Sequence, residues 1–276
     1  MKRFIFLFSI LFSIGSVAQV KEFGFFTGTS YYLGDLNRNH FSQQDLCLGA
    51  VYKSDFRNER MSLRFHLMYN KVRASDDVSG VPSQVFRNLS FKSEIIEFGP
   101  VLEIDFFPFH PGQNHTDEPD FGSPYFLIGL NYMRMNPKGN FLGEWIELQP
   151  LGTEGQGTIL RNDNNEIVKN YSLNQIVIPL GLGVKMNITH HLSLSLEYGI
   201  RKTFTDFLDD VSGLYPNLDE LETFSSEASI MSDKSPSNYD VRYGSQRGNS
   251  SDKDWYAVSG VILTYEFFKD VVCPKW

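Results

Sequence analysis

Residues 192–202 read L-S-L-S-L-E-Y-G-I-R-K, and this stretch decides the fold. Apolar or aromatic side chains take every second position from Leu192 to Ile200, and polar residues or glycine fill the positions between. A period of two places the two kinds of side chain on opposite faces of a β-strand. The stretch also has the length of a tilted strand that crosses a membrane, about 9–11 residues.

The same alternation recurs along the chain. It is strong in 60–70, 94–106 and 175–186, and weaker in 22–33, 45–54, 124–135 and 254–268. Met68 is the exception within 60–70, because it falls on the polar face. Together with 192–202 these segments predict about eight strands, and an even number returns both chain ends to the same side of a membrane.

The polar faces of these strands carry charges of both signs. They include Arg64, Glu97, Glu103, Lys185, Glu197 and Arg201. In a soluble, lipocalin-like barrel such faces would point to water, whereas in a membrane barrel they point into the lumen. The long alternation and the aromatic content favour the second arrangement. We therefore predict an all-β, antiparallel outer-membrane β-barrel whose narrow lumen is filled by a polar network of these six side chains.

The N-terminus has the pattern of a secretory signal peptide. Lys2 and Arg3 precede an apolar run that ends at Gly15-Ser16-Val17-Ala18. We expect cleavage after Ala18, which leaves 19–276 as the barrel with its loops and a short C-terminal tail. The net charge of −8 argues against nucleic acid as a partner. No later apolar run is long enough for a transmembrane helix.

The lengths of the connections fix the expected orientation. The predicted external loops are 34–44, 73–89, 136–173 and 203–253, and the predicted periplasmic turns are 55–59, 107–123 and 187–191. Long outer loops and short inner turns are typical of outer-membrane barrels, and only 107–123 is longer than expected. The middle of the last loop, about 216–250, is rich in polar residues, and we expect it to be mobile.

Few residues have the spacing of a catalytic or metal site. The histidines are scattered, and the sequence has no HExxH motif or paired-cysteine spacing. Asp206, Asp209 and Asp210 could bind a hard cation or cap a turn, and we favour the turn. The glycine-rich segment 152–157 lacks the ending of a phosphate-binding loop. We therefore predict no catalytic residue, cofactor or metal, with a lipid-modifying enzyme as a minor alternative.

The two cysteines are predicted to lie at opposite ends of the barrel. Cys47 starts the second strand near its outer end, and Cys273 lies in the periplasmic tail. A disulfide needs Cα atoms within about 7 Å, so we expect no bond between the two. Each thiol is then either inert or available to another protein.

Several segments together are similar to the PorG family of the type IX secretion system of Bacteroidetes. They are Tyr31–Asn37, Asn88–Phe91, Ile95–Glu97, Gly143–Trp145, Leu148–Gly157, Tyr171–Leu173, Ile178–Gly181, Glu197–Ser212 and Gln246–Gly248. The resemblance implies a non-enzymatic outer-membrane barrel that anchors or positions a periplasmic ring. It implies a PorK-like lipoprotein and a PorN-like protein as partners.

Ring anchoring would use the periplasmic rim. The candidate contact residues there are Cys273, Trp276, Phe107, Phe109 and His110. The alternative function is an independent small barrel that binds a ligand or a surface through the loops 136–173 and 203–253. In either case outer-membrane lipid surrounds the strands.

Overall fold

A computed structural model describes residues 20–56, 58–111, 122–160, 167–236 and 243–268. The predicted signal peptide, Cys273 and Trp276 lie outside these residues. Among the described residues, no helix is both long and apolar enough to span a membrane.

The described chain is built from ten antiparallel strands and three short α-helices. The strands are β1 (Lys21–Leu33), β2 (Asp45–Asp55), β3 (Met61–Ser75), β4 (Ser90–Asp105), β5 (Gly122–Gly129), β6 (Asn131–Phe141), β7 (Glu144–Glu147), β8 (Asn174–Asn187), β9 (Leu192–Thr203) and β10 (Trp255–Phe268). The helices are α1 (Pro82–Arg87), α2 (Leu218–Glu222) and α3 (Ser226–Ser232), and a 3-10 turn covers Asp76–Val78.

The strands close into a ring. β1 pairs with β2 on one side and with β10 on the other, and the remaining ladders continue round to β3 and β4, which pair with each other. β5 and β6 both pair with β4 and with β8, so the two pieces fill one position. Among the residues that the structure describes, short β7 pairs only with β6. The prediction of an antiparallel barrel of about eight strands is confirmed.

The break between β5 and β6 corrects the predicted single strand 124–135. It lies at Leu130, opposite Gly99 and Pro100 of β4. Pro100 has no N–H to donate to the ladder. A Cβ at Gly99 would lie 2.5 Å from Oδ1 of Asn131, so the backbones approach more closely here than other residues allow. β6 then continues beyond the prediction to Phe141.

The barrel is inside-out, as the alternation predicted. Phe65, Leu67 and Leu196 are exposed on the outer wall, while the polar residues between them are buried in the lumen. Met68 also points inward and joins an apolar cluster in the half of the lumen nearest the long loops. The exception in the sequence pattern therefore marks a real change in the lumen from charged to apolar.

The long loops form a compact structure that we call the cap, comprising the described residues of 34–44, 76–89, 142–173 and 204–254. Helices α2 and α3 lie within it, and Leu221, Ala228 and Met231 are buried there. The expectation that 216–250 is mobile is therefore wrong for the described part of that loop, because its apolar side chains pack into the cap.

Candidate functional site: the filled lumen and the cap

Glu103 is the hub of the lumen near the short-turn end of the barrel. Its carboxylate lies 3.1 Å from Nζ of Lys53, 3.0 Å from Nη1 of Arg64 and 3.4 Å from Nζ of Lys185. Lys185 also contacts Asp105 at 2.8 Å. A buried carboxylate is tolerated only when such partners replace its water, so the hub holds four strands together electrostatically.

Arg64 extends this hub to Glu197. The guanidinium donates two hydrogen bonds to the two carboxylate oxygens, at 2.6 and 3.1 Å, which is the strong forked geometry of an arginine–carboxylate pair. Tyr125 donates a third hydrogen bond to Glu197 at 2.9 Å. The pair crosses the lumen, because β3 and β9 are not neighbours in the ring.

A second hub surrounds Glu97, closer to the cap. His66 and Asn131 contact one of its carboxylate oxygens at 3.1 and 2.6 Å, and Tyr256 donates to the other at 2.8 Å. Arg201 lies 3.7 Å from this carboxylate and 4.0 Å from that of Glu197, and so links the two hubs.

The structure thus brings together all six lumen residues named from the sequence. It adds Lys53, His66, Tyr125, Asn131 and Tyr256 to the network. Lys53 could have been predicted from the sequence, since it occupies one of the alternate positions of β2 whose side chains point inward. The two tyrosines could not, because an alternation count treats tyrosine as apolar. The lumen is packed with paired side chains, an arrangement suited to rigidity.

The candidate contact residues at the short-turn end have different environments. Phe107 is 58% exposed, whereas Phe109 is 6% exposed and lies under Nζ of Lys185 at 4.9 Å. Phe109 is therefore removed from the candidate contact surface, because it is turned into the barrel. His110 contacts Glu59 at 3.2 Å, and its carbonyl accepts from the Asn187 side chain.

Cys47 is buried, with a free thiol that donates to Asn70 at 2.9 Å.

All three aspartates of the predicted acidic cluster, Asp206, Asp209 and Asp210, are buried in the cap. Asp209 accepts from the Val211 N–H, the capped turn favoured from the sequence. Asp209 and Asp254 lie 2.6 and 2.7 Å from the Tyr32 hydroxyl. The Tyr32 hydroxyl has one proton and can donate only one of these two hydrogen bonds. The other bond therefore requires a protonated carboxyl that donates to the Tyr32 oxygen. Burial is the main cause that raises the pKa of both carboxyls, and nearby negative charge adds to it, from Asp254 at Asp209 and from Asp206 and Asp35 at Asp254. In the described part of the chain, no cluster of side chains suits a metal ion.

Asp210 and the glycine-rich segment form the other half of the cap. Asp210 accepts from the hydroxyls of Thr153 and Tyr171, at 2.5 and 2.6 Å. Burial outweighs these donors and the nearby Arg247, and raises the pKa of Asp210 to about 6. Positive φ angles at Gly152, Gly155 and Gly157 let the segment 152–157 turn tightly against it.

Glu154 and Arg247 join the part of the cap around Asp209 and Asp254 to the part around Asp210 and the segment 152–157. The Glu154 carboxylate accepts the backbone N–H groups of Ser212 and Gly213, at 2.9 and 3.0 Å, and contacts Arg247 at 2.8 Å. Arg247 also donates to the carbonyls of Asp210 and Ser232. Three segments that are distant in sequence, 152–157, 205–213 and that of Arg247, therefore meet in one cap.

The sequence matches the family described as "Domain of unknown function (DUF6089)" over residues 1–143 and 158–233. The chain belongs to this family. No curated protein gives a significant sequence match.

Solved structures with a similar course of the chain are small barrels of low sequence identity. Neisserial surface protein A is 11% identical, with 90% of this chain and 97% of that one covered and a TM-score of 0.42. Ail of Yersinia pestis, solved with the heparin analogue sucrose octasulfate, is 8% identical, with 91% and 100% covered and a TM-score of 0.42. The outer membrane protein OprG from Pseudomonas aeruginosa is 12% identical, with 91% and 97% covered and a TM-score of 0.38.

Proposed function

We propose that this chain is an outer-membrane barrel that serves as a non-enzymatic, structural component of the type IX protein secretion apparatus. The observation that carries the proposal is the filled, ion-paired lumen around Glu97, Glu103 and Glu197. Side chains occupy the space that a transported molecule would need, so the rims of the barrel remain as working surfaces. The assignment to this particular apparatus comes from the sequence resemblance to the PorG family.

The periplasmic rim is the surface proposed to hold the ring. Phe107 is exposed there to the same extent as its neighbour Phe106, and Phe109 and His110 order the segment that carries both. β10 ends at this rim with Phe268, and the tail with Cys273 and Trp276, which the sequence predicts to lie at the rim, follows it in the chain. The proposed partners are a PorK-like lipoprotein and a PorN-like protein.

Capture of the tagged chain from solubilised outer membranes tests this proposal. Phe107→Glu places a charge on the rim, whereas Leu142→Glu makes the same kind of change in the cap, where Leu142 is 90% exposed. We expect both ring proteins to be captured by wild type and by Leu142→Glu, but not by Phe107→Glu. Capture that is lost only with Leu142→Glu would contradict a periplasmic contact.

Cys273 provides a second test of the same contact. We propose that this thiol can form a mixed disulfide with a ring protein, since the periplasm favours disulfides where geometry permits. Non-reducing electrophoresis should show a heavier band that is absent in Cys273→Ser and present in Cys47→Ser. A Cys47–Cys273 bond within one chain would contradict the proposed topology.

The alternative is an independent barrel that binds a ligand or a surface through the cap. The observation that favours it is the exposure of large apolar side chains on an ordered structure, such as Leu142 and Ile159. Under this alternative the ring proteins are captured by none of the variants.

A further inference from the structure

Three cations lie in one row across neighbouring strands on the outer face of the barrel wall. Arg73 of β3 is directly opposite Lys92 of β4, and Lys92 is directly opposite Lys138 of β6. Like charges directly opposite each other destabilise a sheet. A row of three is therefore unfavourable unless anions lie against it.

The chain's own acids provide part of that compensation, since Glu147 of β7 is directly opposite Lys138. Arg73 lies 3.7 Å from Asp45, and Lys138 lies 3.9 Å from Glu94, both at the limit of an ion pair and partly open to water. Such pairs contribute little. Lys92 is held instead against the ring of Trp145, with its Nζ 4.3 Å from the centroid.

Arg73, Lys92 and Trp145 line a groove of about 740 Å³ on the long-loop side of the barrel, and Lys138 lies beside it in the same row. Lys71, one row closer to the membrane and directly opposite Glu94, also lines it, and the acids Asp45, Asp77 and Glu94 line it as well. The apolar wall begins at the next row, where Tyr69 is opposite Ile96. It continues toward the middle of the barrel with Leu67 opposite Phe98. The cations thus lie where the headgroups of the outer leaflet would meet a barrel embedded by its apolar band.

We propose that this groove binds the phosphorylated headgroup of a membrane lipid. The guanidinium of Arg73 and the ammonium groups of Lys71, Lys92 and Lys138 donate to phosphate oxygens, and the acyl chains lie along Leu67 and Phe98. The continuous apolar wall below the cations favours a lipid over free phosphate. The inference rests on the membrane-barrel part of the proposed function and is independent of the secretion apparatus.

The test uses the full chain in nanodiscs of phosphatidylcholine, with bis-phosphorylated lipid A added as the probe. Native mass spectrometry measures lipid A retained per barrel. Loss of the row in Arg73→Gln/Lys92→Gln/Lys138→Gln should weaken retention roughly 100-fold, since each basic residue at an anionic surface contributes about fivefold. The matched control, Arg38→Gln/Lys169→Gln/Lys253→Gln, removes the same charges from exposed positions outside the groove.

The control triple and the charge-retaining Arg73→Lys/Lys92→Arg variant should bind within about threefold of wild type. Equal losses in both triples, or no loss in the groove triple, would overturn the proposal. So would displacement of lipid A by equimolar inorganic phosphate, which would indicate a free-anion site. If the groove triple does not fold, wild type alone decides, because raising NaCl to 0.5 M must lower lipid A retention. A chain that fails to enter nanodiscs would instead contradict the membrane barrel.

Discussion

The lumen and the cap both bury carboxyl groups, and they stabilise them by different means. Glu103 in the lumen contacts three cations, and Glu197 is held by a forked pair with Arg64. Asp210 in the cap is held mainly by two hydroxyl groups, and Asp209 shares a tyrosine hydroxyl with a second carboxyl. The carboxylates of the lumen therefore depend mainly on paired charge, whereas Asp209 and Asp210 in the cap depend mainly on hydrogen bonds to hydroxyl groups.

This difference separates two kinds of stability. A broken ion pair in the lumen leaves an uncompensated charge between strands on opposite sides of the ring, so the whole barrel is affected. A lost hydrogen bond in the cap affects loops that can open while the strands stay paired. The following substitutions test that separation, beginning with the largest expected effect.

Arg64→Met should destabilise the whole barrel. It leaves the Glu197 carboxylate without its forked partner and removes one of three cations from Glu103, and breaking a buried pair in this way costs about 3–5 kcal/mol. Urea-induced unfolding in lipid vesicles, followed by tryptophan fluorescence, measures the loss. The double variant Arg64→Met/Glu197→Gln should recover part of it. Equal losses in the single and double variants would show that the pair is not the cause.

Leu196→Arg tests the environment outside the lumen. Leu196 and Leu142 are both highly exposed, but the proposed membrane covers only Leu196. Arginine at a lipid-facing position in the membrane costs about 2–4 kcal/mol, whereas on a watery loop it costs almost nothing. Unfolding of Leu196→Arg and Leu142→Arg in the same vesicles gives the comparison. Similar free energies of unfolding for both variants would contradict an outer wall immersed in lipid.

The sequence predicted the inward and outward faces of the barrel strands well, because an apolar outer wall and a charged lumen impose opposite demands at every step. The same pattern failed to predict that β3 extends to Ser75 and that β4 begins at Ser90, because both ends lie beyond the apolar band. Above the apolar band the pattern inverts, with Val72 and Phe91 inside and Arg73 outside. Helices α2 and α3 are too short to show a helical period. The contacts of the cap join segments far apart in the chain, which no local pattern reports.

Arg247→Met should open the cap and leave the barrel intact. The buried guanidinium bonds to Glu154 and to two backbone carbonyls, so its removal leaves buried acceptors unpaired at a cost of about 2–3 kcal/mol. Hydrogen exchange of the Ser212 and Gly213 amides should speed up, while amides of β9 keep their protection. Arg38→Met, an exposed arginine in another loop at the same end, is the control. Faster exchange throughout the strands would mean that cap and barrel unfold together.

The pH dependence of the cap should be smaller and opposite in sign to that of a paired carboxylate. The pKa of Asp210 is raised to about 6, from an ordinary value of 3.8, by burial. The folded cap therefore holds a proton that the opened loop releases, and this stabilisation is present below pH 4 and is lost as the pH rises through 6. Asp206 shifts in the same direction.

Between pH 5 and 7 the opening constant of the cap should rise about tenfold through Asp210 alone, or about 1.3 kcal/mol. Exchange of the Ser212 and Gly213 amides, corrected for the intrinsic effect of pH, provides the measurement. Asp210→Asn should remove this tenfold share of the pH dependence and leave the share of Asp206, because an amide keeps an acceptor for Tyr171 or Thr153 and does not titrate. Protection that grows with pH would mean that Arg247 and the two hydroxyl donors outweigh burial. The cap would then stabilise its carboxylate as the lumen does, and the contrast between the two regions would fail.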